Sequence, residues 1–132
     1  MRKLFTTLLL LFMLILAACK SGSTADTITL VTIKHTELGR QTLFKITCDS
    51  FDKYFPDCKV KTLKKKKDIE NLVNALHIMK STGSDNPLDV RSKIFLVHAN
   101  KAVDTVCVGV SFLKYNGDMY ETPQELLQII QQ

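Results

Sequence analysis

The feature that most constrains this chain is the run from Leu4 to Ala18, apolar except for Thr6 and Thr7 and preceded by Arg2 and Lys3. A basic start followed by about 15 apolar residues has the build of a secretory signal. It is short for a membrane-spanning helix, which needs roughly 20 residues. Residues 1–18 are therefore read as a signal peptide, and folding falls to the remainder. Removing them also takes away Arg2 and Lys3, which lowers the formal balance from +5 to +3, so the basic character of the chain is partly a property of its leader. With 23% charged and 45% hydrophobic residues, five Gly and three Pro, collagen-like, disordered and multi-span classes are excluded. One small domain is expected.

The apolar run ends in Leu16-Ala17-Ala18-Cys19, which resembles the lipobox of bacterial lipoproteins. The resemblance implies that Cys19 becomes the first residue of the mature chain and carries acyl chains such as palmitate. Several acyl chains hold a protein far more firmly than one, at about 0.8 kcal/mol per buried methylene. Residues 19–26 begin with that cysteine and continue as Lys20 to Asp26, small and polar without periodicity, and read as a flexible tether. In some bacterial groups an acidic stretch after the lipidated cysteine directs surface display. Lys20, Ser21, Gly22 and Ser23 do not supply one, so the resemblance implies an anchor in the cell envelope that faces the periplasm. In layout the chain resembles the short lipoproteins of Gram-negative anaerobes whose activities are unassigned.

Residues 27–132 read as a globular α+β domain. Ile28 to Thr36 is rich in β-branched residues and Thr42 to Cys48 alternates, so the two are expected to form a hairpin across a turn at Glu37 to Arg40. Phe51, Tyr54 and Phe55 have helical spacing and are stopped by Pro56. From Asp68 to Lys80, Ile69, Leu72, Val73, Leu76 and Met79 make one stripe of an amphipathic helix with Asp68 as its cap. Lys93 to Asn100 and Asp104 to Phe112 are strand candidates, expected to pair antiparallel. Asn116-Gly117 predicts a tight hairpin leading into Met119 to Glu121. Thr122, Pro123 and Glu125 predict a capping box that opens a last helix. About five mainly antiparallel strands with two main helices on one sheet face are expected, without the rhythm of a parallel fold.

An exported domain sits in an oxidising compartment, so Cys48, Cys58 and Cys107 are weighed as disulfide partners before metal ligands. The alternatives are a Cys48–Cys58 bridge across a turn at Pro56-Asp57, with Cys107 buried in a strand, and three unpaired thiols. The sharpest polar feature is Lys59, Lys61, Lys64, Lys65, Lys66 and Lys67, six positive charges in nine residues at the start of a helix. Such a run first suits a solvated strand end that keeps a small domain soluble, and behind that an anionic ligand surface. His35, His77 and His98 have no metal-ligand spacing, and Asp49, Asp52 and Asp57 lack that of a calcium loop. No phosphate loop or nucleophile motif occurs, so neither cofactor nor metal is expected. Without arginines interleaved with aromatics there is no nucleic-acid platform.

These readings favour a membrane-anchored, non-catalytic interaction or accessory module with an envelope protein as partner. A small-ligand carrier or sensor is the alternative. A thiol-dependent enzyme built on Cys107 ranks behind both.

Overall fold

The computed structural model describes residues 27–83 and 85–132. The signal, the lipobox with Cys19 and the tether lie outside the described residues. The order of elements is β1 (Ile28–His35), α1 (Phe51–Tyr54), β2 (Lys59–Leu63), α2 (Lys66–His77), β3 (Val90–His98), β4 (Val103–Gly109), β5 (Phe112–Tyr115), β6 (Asp118–Glu121) and α3 (Gln124–Gln131). The strands form one sheet in the order β2-β1-β3-β4-β5-β6, and every pairing is antiparallel. The α+β class holds, with six strands rather than five.

Side-chain alternation gives the sheet two unlike faces. Val31 and Ile33 of β1, Ile94 and Leu96 of β3, Val106 and Val108 of β4 and Leu113 of β5 make the floor of the main core. Ile69, Leu72, Ala75 and Leu76 of α2, with Leu126, Leu127 and Ile130 of α3, close it from above. Burying side chains of this size contributes about 1.5–3 kcal/mol each, so the helical stripe read from the sequence is what fastens α2 to the sheet. Beneath the other face lies a smaller cluster of Ile46, Phe51, Phe55, Val90 and Cys107, roofed by α1 and the segment leading into it.

Several local expectations change for identifiable reasons. Thr42 to Cys48 is not a strand. The place beside β1 is taken by Lys59–Leu63, and Ile46 is held by side chain and backbone together: its N–H donates to Asp89 Oδ1 at 2.8 Å, and its carbonyl accepts from Val90 N at 2.8 Å. β2 buries only Leu63, and its lysines protect a sheet edge, where exposed backbone groups otherwise invite another chain. β3 starts at Val90 rather than Lys93, because Arg91 and Ser92 are buried with their polar atoms satisfied. The expected strand Asp104 to Phe112 is β4 and then β5, folded back around Val110-Ser111. α2 is capped by Lys65 rather than Asp68 and ends at His77, and Pro123 rather than Thr122 caps α3. The Thr122 hydroxyl instead donates to the Gly109 carbonyl at 3.0 Å. The β5–β6 turn forms as expected, with Asn116 and Gly117 both at positive φ.

Gly109 stands where the chain reverses between β4 and β5. A Cβ there would lie 2.7 Å from the Asp89 carbonyl oxygen and 3.0 Å from that of Phe112, both backbone atoms with little freedom to move. Gly109→Ala is expected to cost about 1–3 kcal/mol, the usual range for overpacking, read as a lower midpoint in urea denaturation. An unchanged midpoint would show that the β4–β5 turn opens freely.

Candidate functional site

Segment 36–58 forms an arm that leaves the end of β1, folds under the second face of the sheet and returns as β2. Its anchor is Arg91, 4% exposed. Nη1 donates to Asp89 Oδ1 at 2.7 Å and to the Val90 carbonyl at 2.9 Å. Nη2 donates to Asp89 Oδ2 at 2.7 Å and to Thr42 Oγ1 at 3.0 Å, and Nε donates to the Arg40 carbonyl at 2.9 Å. All five donors of the guanidinium are used, in the forked geometry that only arginine supplies. Phe55 packs alongside, with the Arg40 and Arg91 guanidinium carbons 5.1 and 5.7 Å from its ring centre.

A second clamp joins α1 to the sheet. Asp52 accepts from Lys34 Nζ at 2.7 Å and from Lys93 Nζ at 2.8 Å, and these hydrogen bonds hold its carboxyl below the ordinary 3.8. Lys34 is raised by the same contact. A third clamp is covalent. Cys48 is bonded to Cys107, with Cα atoms 5.7 Å apart, and Cys58 is free. This is neither the Cys48–Cys58 bridge nor the three unpaired thiols weighed above, because β4 brings Cys107 under the arm while Cys58 leaves toward β2. Cross-linking across 59 residues is worth about 4 kcal/mol in the chain-entropy account. In that bond Cys107 carries no free thiol.

These clamps present an apolar knob. Leu43 is fully exposed, Phe44 51% exposed and Tyr54 41% exposed. The two rings meet edge to face at 4.8 Å. Thr42 Oγ1, which accepts from Arg91, donates to the Phe44 carbonyl at 2.7 Å and so fixes the bend that turns both side chains outward. Strand-like alternation in Thr42 to Cys48 hid the knob from the sequence reading, since one of two successive apolar residues in a strand is expected to be buried. The signal available was Leu43-Phe44 as an apolar pair between polar neighbours.

The predicted lysine run is divided by the fold. Lys61 turns toward α3, where Nζ donates to the Ile129 carbonyl at 2.8 Å. Lys59 lines a cleft of about 600 Å³ at the far end of β2 with His35, Arg40, Asp57 and Cys58. Lys64, Lys65, Lys66 and Lys67 remain together at the start of α2, all exposed. The histidines do not converge with Cys107. Antiparallel pairing sets His35 opposite Ser92 and His98 opposite Ile28, at opposite ends of the sheet. His98 Nε2 lies 3.0 Å from Asp104 Oδ2, which also accepts from the Tyr115 hydroxyl at 3.1 Å. That network ties β3, β4 and β5 together, and among the described residues neither a serine nor a cysteine hydrogen-bonds to it. His77 is exposed at the end of α2, and Asp49 and Asp57 are exposed on the arm. Among the described residues no group of three His, Cys, Asp or Glu side chains is placed to hold a metal ion, and no helix is long and apolar enough to cross a membrane. No protein family, curated protein or solved structure matches the chain.

Two predictions follow from the clamps. Arg91→Met leaves Thr42 Oγ1 and the Arg40 carbonyl without the donor that Arg91 supplies and Asp89 with only the Ile46 N–H, and breaking a buried pair of this kind costs about 3–5 kcal/mol. It is expected to lower the melting temperature and open the arm to trypsin at Arg40 and Lys45 before the rest of the domain. On the acid side, burial, aided by the charges of Lys59 and Lys61, holds His35 below its ordinary 6.5. The unfolded chain therefore binds the proton first, and stability falls as pH drops below 6.5. Asp52, depressed below 3.8, gives a further loss as pH drops through that value. His35→Gln should flatten the first slope and Asp52→Asn the second, in melting temperatures recorded against pH.

Proposed function

We propose that the protein is a lipid-anchored module of the bacterial cell envelope, attached through Cys19, that binds another envelope protein through Leu43, Phe44 and Tyr54 and catalyses no reaction. The knob is the observation that carries this reading. Exposed aromatic and aliphatic side chains cost stability in water unless something covers them, and pre-ordered aromatic anchors are what protein interfaces use as hot spots. Arg91, the Asp52 ion pairs and the Cys48–Cys107 bridge hold the knob rigid before any partner arrives. The bridge further supports an oxidising compartment. A tether of residues 19–26 raises the effective concentration of the module near the membrane.

A second reading, a small-ligand carrier, draws on the cleft between His35, Arg40 and Cys58. Its lining of mixed charges without a deep apolar pocket favours it less than the exposed apolar surface favours a protein partner.

The test is photocrosslinking in intact cells with a benzophenone side chain at Leu43 or, as a control, at Glu125 on α3. A discrete adduct from position 43, lost when Phe44→Ala and Tyr54→Ala are added without loss of melting temperature, is the expected result. No adduct from position 43, or equal adducts from 43 and 125, would sink the proposal.

A further inference from the structure

We infer that the edge of the domain bearing Lys64, Lys65, Lys66 and Lys67 seats on an anionic lipid surface, which fixes the orientation of the module on its membrane; the inference rests on the reading that Cys19 is the anchor. The fold places these lysines where the anchored chain arrives. Thr27, the first described residue, forms with Ile28 and Thr29 one wall of a groove of about 450 Å³ whose other wall includes Lys64, Lys66 and Ile69. Cys19 stands eight residues before Thr27, so the headgroups lie at most about 28 Å from this edge even with the tether fully extended. Lys101, on the β3–β4 turn, belongs to the same edge, because the neighbouring Ala99 N–H donates to the Thr27 carbonyl at 2.8 Å.

The placement is poor for the helix and good for an anion. Lys65 caps α2, and Lys66 and Lys67 open its first turn, where the helix dipole is positive and disfavours further positive charge. Asp68 is the acid of that turn. Lys66 has a weak partner in Glu70 at 3.7 Å, with the lysine side chain 91% exposed. Among the described residues Lys64, Lys65 and Lys67 make no ion pair. Lys61, by contrast, is spent on the carbonyl end of α3, so the fold keeps one lysine of the run for itself and leaves these four to the solvent. Lysines are compact point charges that suit a diffuse layer of phosphates, whereas a specific phosphate pocket draws on the arginine fork. Both arginines near the arm, Arg40 and Arg91, belong to the other end of β1.

The experiment uses the natively processed protein reconstituted into vesicles of phosphatidylcholine alone or mixed with phosphatidylglycerol. Each lysine's rate of acetylation by a water-soluble reagent is read by mass spectrometry at low and high salt. Lys64 to Lys67 are expected to react about threefold or more slowly on the anionic vesicles at low salt, with the difference lost at high salt, while Lys45 and Lys53 on the arm stay unchanged. Lys65→Glu combined with Lys66→Glu should abolish the slowing at Lys64 and Lys67. Equal rates on both vesicles, or the same slowing at Lys45 and Lys53, would overturn the inference. The intact mass of the same sample separates it from the reading beneath it. An acylated chain with a flat footprint removes the lysine surface alone, and an unacylated chain removes the anchor.

Discussion

The arm of this protein depends on one buried guanidinium. Arg91 is carried by β3, near the centre of the sheet, yet its bonds run outward to Asp89, Thr42 and the backbone of Arg40. An unpaired arginine at this depth would be strongly destabilising, and a fully paired one roughly breaks even with a well-packed apolar side chain. Specificity is what the pair supplies. A greasy contact would let segment 36–50 slide, whereas the two directional hydrogen bonds to Thr42 and the Arg40 carbonyl, from a guanidinium whose other three bonds fix it on Asp89 and Val90, hold it in place. The Asp89 carboxylate serves both sides of the joint, since its Oδ1 accepts from Arg91 and from the Ile46 backbone.

Charge on the second face follows from that joint. Lys34 and Lys93 are direct neighbours across β1 and β3, and Cys107 and Lys114 continue the same row across β4 and β5. Like charges side by side are destabilising on a sheet. Asp52 offsets the Lys34–Lys93 pair by bridging both, which requires α1 to lie where Arg91 and the Cys48–Cys107 bond put the arm. The face therefore cannot be relieved of its repulsion unless the arm is docked. Arm and sheet are coupled, even though the arm contributes little to the main core.

The elements legible in the sequence were those whose periodicity is paid for by burial. The α2 stripe, β1 and the paired run around Val106 and Val108 each have a local pattern that the core rewards, and the Asn116-Gly117 turn is set by the positive φ of its own two residues. What stayed illegible depends on contacts distant in the chain. Thr42 to Cys48 alternates like a strand, but Asp89, 43 residues on, captures its Ile46. Lys59 to Leu63 looks like a charged connector, and only the free edge of β1 makes it a strand. The cysteine pairing turned on strand order, which places Cys107 beneath the arm. The candidate site suffered most. Its outward knob is defined by what does not bury it, and periodicity carries no signal for a bend set by Thr42 between Arg91 and Phe44.

The apolar knob and the lysine cluster, the two surfaces proposed above for binding, sit at different ends of β1, and that separation has a physical origin. Eight residues of an antiparallel strand span about 25 Å, which is roughly three Debye lengths at physiological salt. Lysines beside Thr27 and the apolar knob near the other end are thus electrostatically independent, so a charged surface at one leaves the other unperturbed. β1 is held against tilting, since β2 and β3 flank it and α2 packs on Val31 and Ile33. A strut with Thr27, where the proposed tether joins, at one end and a clamped arm at the other transmits orientation directly. On the proposed seating of the lysine edge, the direction in which Leu43 and Phe44 face would be set by the fold rather than by the tether, and the entropy of searching for the proposed partner would be correspondingly reduced.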